Sequence, residues 1–166
     1  MERTGADMYY IGCDNGVTGS IGIIKSDGSF YTAFKTPVKK ELSYTKKAQY
    51  ANRVDVPTLM GLLNPYKNNC KCVMERPMIN PTRWLASMSA RGALEATIIV
   101  MEMLCISYSY IDSKEWQKEM LPSGIKGSAL LKKASLDIGR RLFPSIKHAK
   151  DADGILIAEY IRRRDK

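Results

Sequence analysis

The stretch that decides the fold runs from residue 8 to residue 36 and reads MYYIGCDNGVTGSIGIIKSDGSFYTAFKT. Its apolar segments, 8–14, 18–25 and 29–36, are separated by turn sequences, first Asn-Gly and then Ser-Asp-Gly. Three consecutive strands joined by tight turns predict an antiparallel meander. The first of these strands ends at Asp14, which places a carboxylate at the rim of the predicted core.

Beyond the meander the pattern alternates between helical spacing and short apolar runs. The segment 38–52 is polar, rich in lysine and without periodicity, so we expect an irregular basic loop there. The predicted elements that follow are a helix over 54–63, a strand over 70–75, a helix over 83–104, a strand over 106–111, a short helix capped by Ser113, a helix over 126–143 and a final helix over 151–163.

This order of elements is that of the ribonuclease H fold, an α/β architecture in which helices flank a mixed five-stranded sheet. In such a fold Asp14 lies on the central strand and Glu75 ends the strand beside it. The final helix approaches the same rim. No repeat or flexible linker divides the 166 residues, so we expect a single domain over 1–166.

The composition favours a polyanionic partner. Lys and Arg number 26 against 17 Asp and Glu, which gives a formal charge of +9 and makes nucleic acid the leading candidate. No clean basic amphipathic helix favours a membrane surface, and no apolar run is typical of a signal peptide or a bilayer span, so we expect an intracellular protein. The four cysteines fall in or beside apolar runs and are expected to be buried thiols rather than a disulfide framework.

Four acids stand at segment ends and predict metal-dependent phosphate chemistry. Asp14 and Glu75 close predicted strands, and Asp151 and Asp153 precede the apolar run of the last helix. A hard divalent cation commonly compensates carboxylates gathered at the rim of a core. Residues two apart on a helix point to different sides, so Asp151 can share a site with Asp153 only if it lies before the first turn. Asp153 is therefore the preferred ligand, and Asp151 is a second ligand or a helix cap.

Each of these residues also has a plainer interpretation. Asp14 followed by Asn-Gly-Val-Thr fits a hairpin turn, or the phosphate loop of sugar kinases, although that fold needs two such domains. Glu75 could pair with Arg76 or Arg83 at the surface. His148, the only histidine, could orient water or contact a phosphate, or could be a partly exposed loop residue.

Taken together, six blocks of sequence resemble the RuvC-like Holliday junction resolvases, and most closely their phage-type members. The blocks occur in the family's order over nearly the whole chain, and they are IGCDNGVTGSIGII, VMERP, SARGALEATI, IDSKEWQKEML, KKASLDIGRRLFP and KDADGILIAEYIRR. The resemblance implies a homodimeric, structure-selective endonuclease that hydrolyses phosphodiesters in four-way DNA junctions, with two Mg²⁺ per active site and Mn²⁺ as a substitute.

The resemblance also assigns the acids. It implies that Asp14, Glu75 and Asp153 are catalytic metal ligands, whereas the position three before Asp153 holds Lys150 instead of an acid or histidine. Asp151, or His148 in support, would then supply the fourth ligand.

Contacts to DNA are expected from basic and aromatic residues near these acids. Lys126, Lys132 and Lys133 could neutralise phosphates, or simply form a solvated helix face. Arg83 and Trp84 follow Glu75 across a short loop and could flank the cleaved strand, with burial of the indole in the core or in a dimer seam as the alternative. The helix over 83–104 is apolar on much of its circumference, which favours a subunit interface over plain core burial. A broader flap or single-strand nuclease and a non-catalytic junction-binding protein remain the functional alternatives.

Overall fold

The computed structural model describes residues 8–43, 48–148 and 150–165. These parts of the chain contain seven strands and five α-helices. The strands are β1 (Tyr9–Asp14), β2 (Ser20–Lys25), β3 (Tyr31–Lys35), β4 (Val38–Leu42), β5 (Tyr50–Val54), β6 (Cys70–Glu75) and β7 (Tyr108–Ile111). The helices are α1 (Val56–Leu63), α2 (Trp84–Met103), α3 (Ser113–Met120), α4 (Ser128–Leu142) and α5 (Asp153–Arg164).

Five strands form the main sheet in the order β3-β2-β1-β6-β7. The first three are antiparallel neighbours, as the tight turns between them predict, and β6 and β7 add to β1 in parallel. The strand β1 is therefore central and has neighbours on both sides. The predicted mixed five-stranded sheet flanked by helices is confirmed.

Helices cover both faces of this sheet. On one face, buried residues of α1 and α2, such as Leu59 and Met101, pack with Ile11 and Ile23 of the sheet. On the other face, α3, α4 and α5 form a second core around the fully buried Trp116. Because β1 and β6 are covered on both sides, they read as nearly continuous apolar runs that end in an acid.

The helix α5 lies unusually close to the sheet. A methyl group built on Gly12 of β1 would stand 2.3 Å from the backbone nitrogen of Ala158, and one on Gly22 of β2 would stand 2.2 Å from the Cα of Ile155. The backbone amide of Gly154 also donates to the hydroxyl of Ser20 at 3.1 Å. These contacts fix the first turn of α5 against the end of β1.

The prediction of an irregular loop over 38–52 is wrong. The strands β4 and β5 form a separate two-stranded antiparallel sheet in which Lys39 lies opposite Arg53, and Glu41 forms ion pairs with both. Most of the hairpin is exposed on both faces, so its sequence lacks the alternation that identifies a half-buried strand. Residues 44–47 of the predicted loop lie outside the described residues.

Two smaller expectations are also wrong. Asp112, not Ser113, occupies the N-cap position of α3, and its carboxylate pairs with Arg76 at 3.0 Å instead of capping the helix. Cys105 is exposed, with a φ of 55° directly after α2, whereas Cys13 and Cys72 are buried free thiols as expected. None of the helices in the described segments combines the length and hydrophobicity that crossing a bilayer requires.

Candidate metal centre

Asp14 stands at the end of the central strand, where the chain leaves the sheet. It pairs with Ser20 in the last register position of the β1–β2 hairpin, and the turn between them closes with a bond from the Gly19 amide to the Gly16 carbonyl at 3.0 Å. The side-chain amide of Asn15 donates to the carbonyl of Ala90 on α2 at 3.0 Å. The turn is therefore tied to the neighbouring helix, and the Asp14 carboxylate is held at the rim.

Asp151 and Asp153 reach the same point from the other end of the chain. The helix α5 begins at Asp153, so Asp151 lies before the first turn, which is the condition under which both carboxylates can face one site. One carboxylate oxygen from each of Asp14, Asp151 and Asp153 lies within 4.8 Å of the others. The structure thus gathers three of the four predicted acids into one cluster.

Glu75 closes β6, the parallel neighbour of β1. Because Cys13 lies opposite Met74 in that register, the next residue on each strand is an acid at the same edge of the sheet. The Glu75 carboxylate accepts a hydrogen bond from the indole nitrogen of Trp116 at 2.6 Å. It does not belong to the 4.8 Å group, but it is near enough to act on the pKa of Asp14.

The acids raise one another's pKa values. Burial raises the pKa of Asp14 well above its ordinary value, and the charges of Asp153, Glu75 and Asp151 raise it further. Burial is also the main cause that raises the pKa of Glu75 to about 7 and that of Asp153 to about 6. Ionisation of Asp14, Glu75 and Asp153 is therefore disfavoured in the metal-free protein, and a cation bound among them would offset this effect.

The residues present fit a hard divalent cation. The donor set consists only of carboxylate oxygens, the ligands that Mg²⁺ and Mn²⁺ prefer. The Oδ2 atom of Asp151 is buried and receives no hydrogen bond from the described residues, and it forms long ion pairs with the ammonium groups of Lys132 at 3.6 Å and Lys150 at 4.0 Å. A buried carboxylate oxygen without a donor is costly unless a cation satisfies it.

Comparison with solved structures identifies the fold around this site. The structure titled "T. thermophilus RuvC in complex with Holliday junction substrate" has a TM-score of 0.58, is 13% identical, and the match covers 95% of this chain and 96% of that one. "Thermus thermophilus RuvC structure" has a TM-score of 0.54, is 15% identical, and the match covers 95% of this chain and 97% of that one. The protein has a RuvC-like fold. No family model and no curated protein sequence matches the chain.

On this RuvC-like fold, several of the plainer interpretations of the acids fail. The N-cap position of α5 is Ala152, so Asp151 does not cap the helix. Glu75 bonds to Trp116, whereas Arg76 pairs with Asp112, so the alternative of a surface pair between Glu75 and Arg76 fails.

The single histidine lies beside the cluster without joining it. His148 lines a cavity together with Asp151 and Thr18, and its Nε2 atom is buried without a hydrogen-bond partner among the described residues. It is not among the residues whose possible ligand atoms lie within 4.8 Å of one another. The ring instead approaches Gly139 of α4.

The predicted DNA-binding residues take different positions on the RuvC-like fold. Lys132 forms an ion pair with Asp151. Lys133 lines a cavity with Leu130 and other apolar residues, whereas Lys126 is exposed in the segment before α4. Arg83 is exposed, and Trp84 is 65% exposed, so burial of the indole in the core is wrong.

Sequence reasoning missed one residue of the site and underestimated another. Ser135 of α4 is fully buried and donates a short hydrogen bond to Oδ1 of Asp153, yet a serine within a helix gives no pattern that predicts this role. Trp116 enters the sequence analysis only within the block IDSKEWQKEML. A tryptophan on a short polar helix that follows the strand beside β6 is the signal that points to a buried donor at the sheet edge.

Proposed function

We propose that the protein is a metal-dependent, structure-selective DNA endonuclease that resolves Holliday junctions or related branched DNA by phosphodiester hydrolysis. The observation that carries this proposal is the gathering of Asp14, Asp151 and Asp153 at the edge of a RuvC-like sheet. One of the similar solved structures is a RuvC bound to a Holliday junction substrate. The formal charge of +9 adds support for a polyanionic substrate.

The four acids would hold two Mg²⁺ ions, with Mn²⁺ as a substitute. Asp14, on the central strand, would bind both ions, and Glu75, Asp153 and Asp151 would complete their coordination. When bound, such ions activate a water molecule and stabilise charge on the attacking and leaving oxygens of the phosphodiester. The protein's own part is to keep the carboxylates together at the rim, where a DNA strand can reach them.

Basic and aromatic residues would position the DNA. The ammonium group of Lys132 lies 3.6 Å from Asp151, so it can contact a phosphate that approaches the acids. Lys126, Lys133 and Arg83 would neutralise phosphates farther away. Trp84 is exposed at the start of α2 and would offer a surface on which an unpaired base can stack.

A homodimer would present two such sites to the two strands that must be cut. The apolar residues Leu85, Met88, Ile99 and Met103 of α2 are exposed, and their spacing places them on one face of the helix. Leu85 is 81% exposed and Met103 is 61% exposed. A second copy that covers this face would explain why the helix is more apolar than one sheet face requires.

Cleavage of a synthetic four-way junction in Mg²⁺ tests the proposal. The Asp14→Asn and Glu75→Gln variants should bind the junction as wild type does and lose cleavage by several orders of magnitude, because neutral amides do not hold the ions. Asp137→Asn provides a matched control, since Asp137 is an exposed acid on α4 outside the cluster.

Each alternative gives a different result in this assay. Equal cleavage of flaps, single strands and junctions would identify a broader nuclease. Junction binding without cleavage by wild type in Mg²⁺ or Mn²⁺ would identify a binding protein. If both acid variants cleave as well as wild type, the assignment of the site is wrong.

A further inference from the structure

Asp153 of the cluster and the neighbouring Glu75 each accept a hydrogen bond from a neutral donor. The indole nitrogen of Trp116 donates to Oε2 of Glu75 at 2.6 Å, and the hydroxyl of Ser135 donates to Oδ1 of Asp153. Both donors are fully buried, whereas the acids they hold are only half-buried and face the rim. The donors therefore approach the acids from inside the protein.

The positions of the two donors are fixed by the core behind them. Trp116 lies on α3 and packs with apolar residues of α5 and of β7, among them Ile155 and Ile111. The Ser135 hydroxyl accepts a bond from the backbone amide of Ala152 at 3.0 Å, which leaves its proton directed at Asp153. Ser135 thus joins α4 to the segment that carries Asp151 and Asp153.

The chemistry of these donors suits a carboxylate that must also bind a cation. Each donor occupies one oxygen of its acid and leaves the other oxygen for a metal. An indole nitrogen can only donate, so it keeps the oxygen that faces it in the role of acceptor. A neutral donor adds no positive charge to repel a cation, in contrast to Lys132, which lies beside Asp151.

We infer that Trp116 and Ser135 are positioning residues that orient Glu75 and Asp153 for divalent cations. This inference rests on the proposed function, because it assumes that these acids bind metal. Loss of one hydrogen bond to a metal-binding side chain typically weakens metal affinity by about 10-fold to 100-fold. The donors do not touch the reacting atoms, so they act only through the acids.

Titration of the DNA-free protein with Mn²⁺, followed by the electron paramagnetic resonance signal of the free ion, measures this effect directly. Trp116→Phe removes the indole N–H and keeps an aromatic ring, and Ser135→Ala removes only the hydroxyl. Each variant should bind Mn²⁺ about 10-fold to 100-fold more weakly than wild type. In cleavage of a four-way junction, each should need correspondingly more Mg²⁺ and should regain activity as Mg²⁺ is raised.

Two control variants lose a part-buried hydrogen bond that does not involve Glu75, Asp153 or the rest of the cluster. Tyr160→Phe removes a hydroxyl in the same core as Trp116, where it bonds to Glu115 at 3.2 Å. Ser87→Ala removes a buried serine hydroxyl that bonds to the backbone of Asn80. Both controls should bind Mn²⁺ as wild type does, although their thermal unfolding temperatures fall.

The Mn²⁺ titration distinguishes failure of the positioning role from failure of the proposed metal site. If wild type binds no Mn²⁺, the metal site itself is wrong, and the inference fails with it. If wild type binds Mn²⁺ and Trp116→Phe and Ser135→Ala bind it equally well, only the positioning role is overturned. Circular dichroism identifies a variant that fails to fold, and in that case the other variant decides.

Discussion

Replacement of Gly12 by alanine should displace α5 and thereby disturb the acid cluster. An alanine Cβ at this position would stand 2.3 Å from the Ala158 nitrogen and 2.4 Å from the Gly154 carbonyl oxygen. Both atoms belong to the backbone of α5, so no side chain can rotate to relieve the clash. Only a movement of the helix away from β1 can do so.

The size of the effect follows from these distances. Non-bonded heavy atoms in good contact lie about 3.5–4.0 Å apart, so the helix must retreat by about 1 Å. Forcing an extra methyl group into a packed core typically costs about 1–3 kcal/mol and sometimes more. Because the obstructing atoms are backbone, we expect a value near the upper end of that range, about 3 kcal/mol, in the free energy of unfolding.

Urea denaturation followed by circular dichroism measures this free energy, with Gly61→Ala as the matched control. A methyl group at Gly61, on the exposed side of α1, meets nothing within 4 Å. Since alanine is favoured over glycine inside helices by about 0.5–1 kcal/mol, the control should be slightly more stable than wild type.

The same displacement should weaken the binding of Mn²⁺. The helix α5 begins at Asp153, so a retreat of about 1 Å moves this carboxylate away from Asp14, and sites of this kind tolerate only about 0.5 Å. If Gly12→Ala unfolds at the same urea concentration as Gly61→Ala, the argument from close helix packing is refuted. Loss of stability with unchanged Mn²⁺ affinity would instead separate the packing of α5 from the geometry of the site.

Three further predictions concern protonation, salt and association. In the metal-free protein the pKa of Glu75 is raised from 4.5 to about 7, so between these pH values the folded state keeps a proton that the unfolded state releases. The free energy of unfolding of wild type should therefore fall as the pH rises through this range. Relative to wild type, the free energy of unfolding of Glu75→Gln should rise by on the order of 3 kcal/mol over the same range, as measured by urea denaturation. A constant difference across this range would contradict the assigned cause. Junction binding, measured by fluorescence anisotropy, should weaken steeply with added salt. Lys126→Ala should lower the magnitude of the slope of log affinity against log salt concentration by about 1. An unchanged slope would show that Lys126 does not contact a phosphate. Sedimentation velocity should give a dimer for wild type and a monomer for the Leu85→Lys, Met103→Lys double variant, and a monomeric wild type would exclude α2 as a subunit interface.

The elements that sequence could predict are those whose burial leaves a regular pattern. The runs around Ile11 and Ile23 are apolar and bounded by turn residues, so the meander and its closing acid follow from local sequence. The hairpin of β4 and β5 was not predictable in this way. Its strands are stabilised by cross-strand charge pairs, such as Arg53 with Glu41, instead of by a buried face.

In the candidate site, too, some features follow from local sequence and others do not. The positions of Asp14 and Glu75 follow from the strand ends, and the parallel register of β1 and β6 places these two acids at the same edge of the sheet. The supporting contacts do not, because Trp116 lies 41 residues from Glu75 and Ser135 lies 18 residues from Asp153 in sequence. Such contacts depend on how helices pack against the sheet, which no local pattern encodes.

The electrostatics of the cluster argue for a ligand more strongly than the presence of acids alone. A fold that only needed a polar rim would be more stable with amides at these positions, because burial and mutual repulsion raise the pKa values of Asp14, Glu75 and Asp153 together. The same chain places neutral donors behind Glu75 and Asp153, and it leaves a buried oxygen of Asp151 without a hydrogen bond. The neutral donors favour the ionised forms of Glu75 and Asp153, whereas burial and mutual repulsion disfavour them, and a bound divalent cation would offset the latter effect at every acid it contacts. These features support the proposal that the cluster binds a cation at the edge of the RuvC-like sheet.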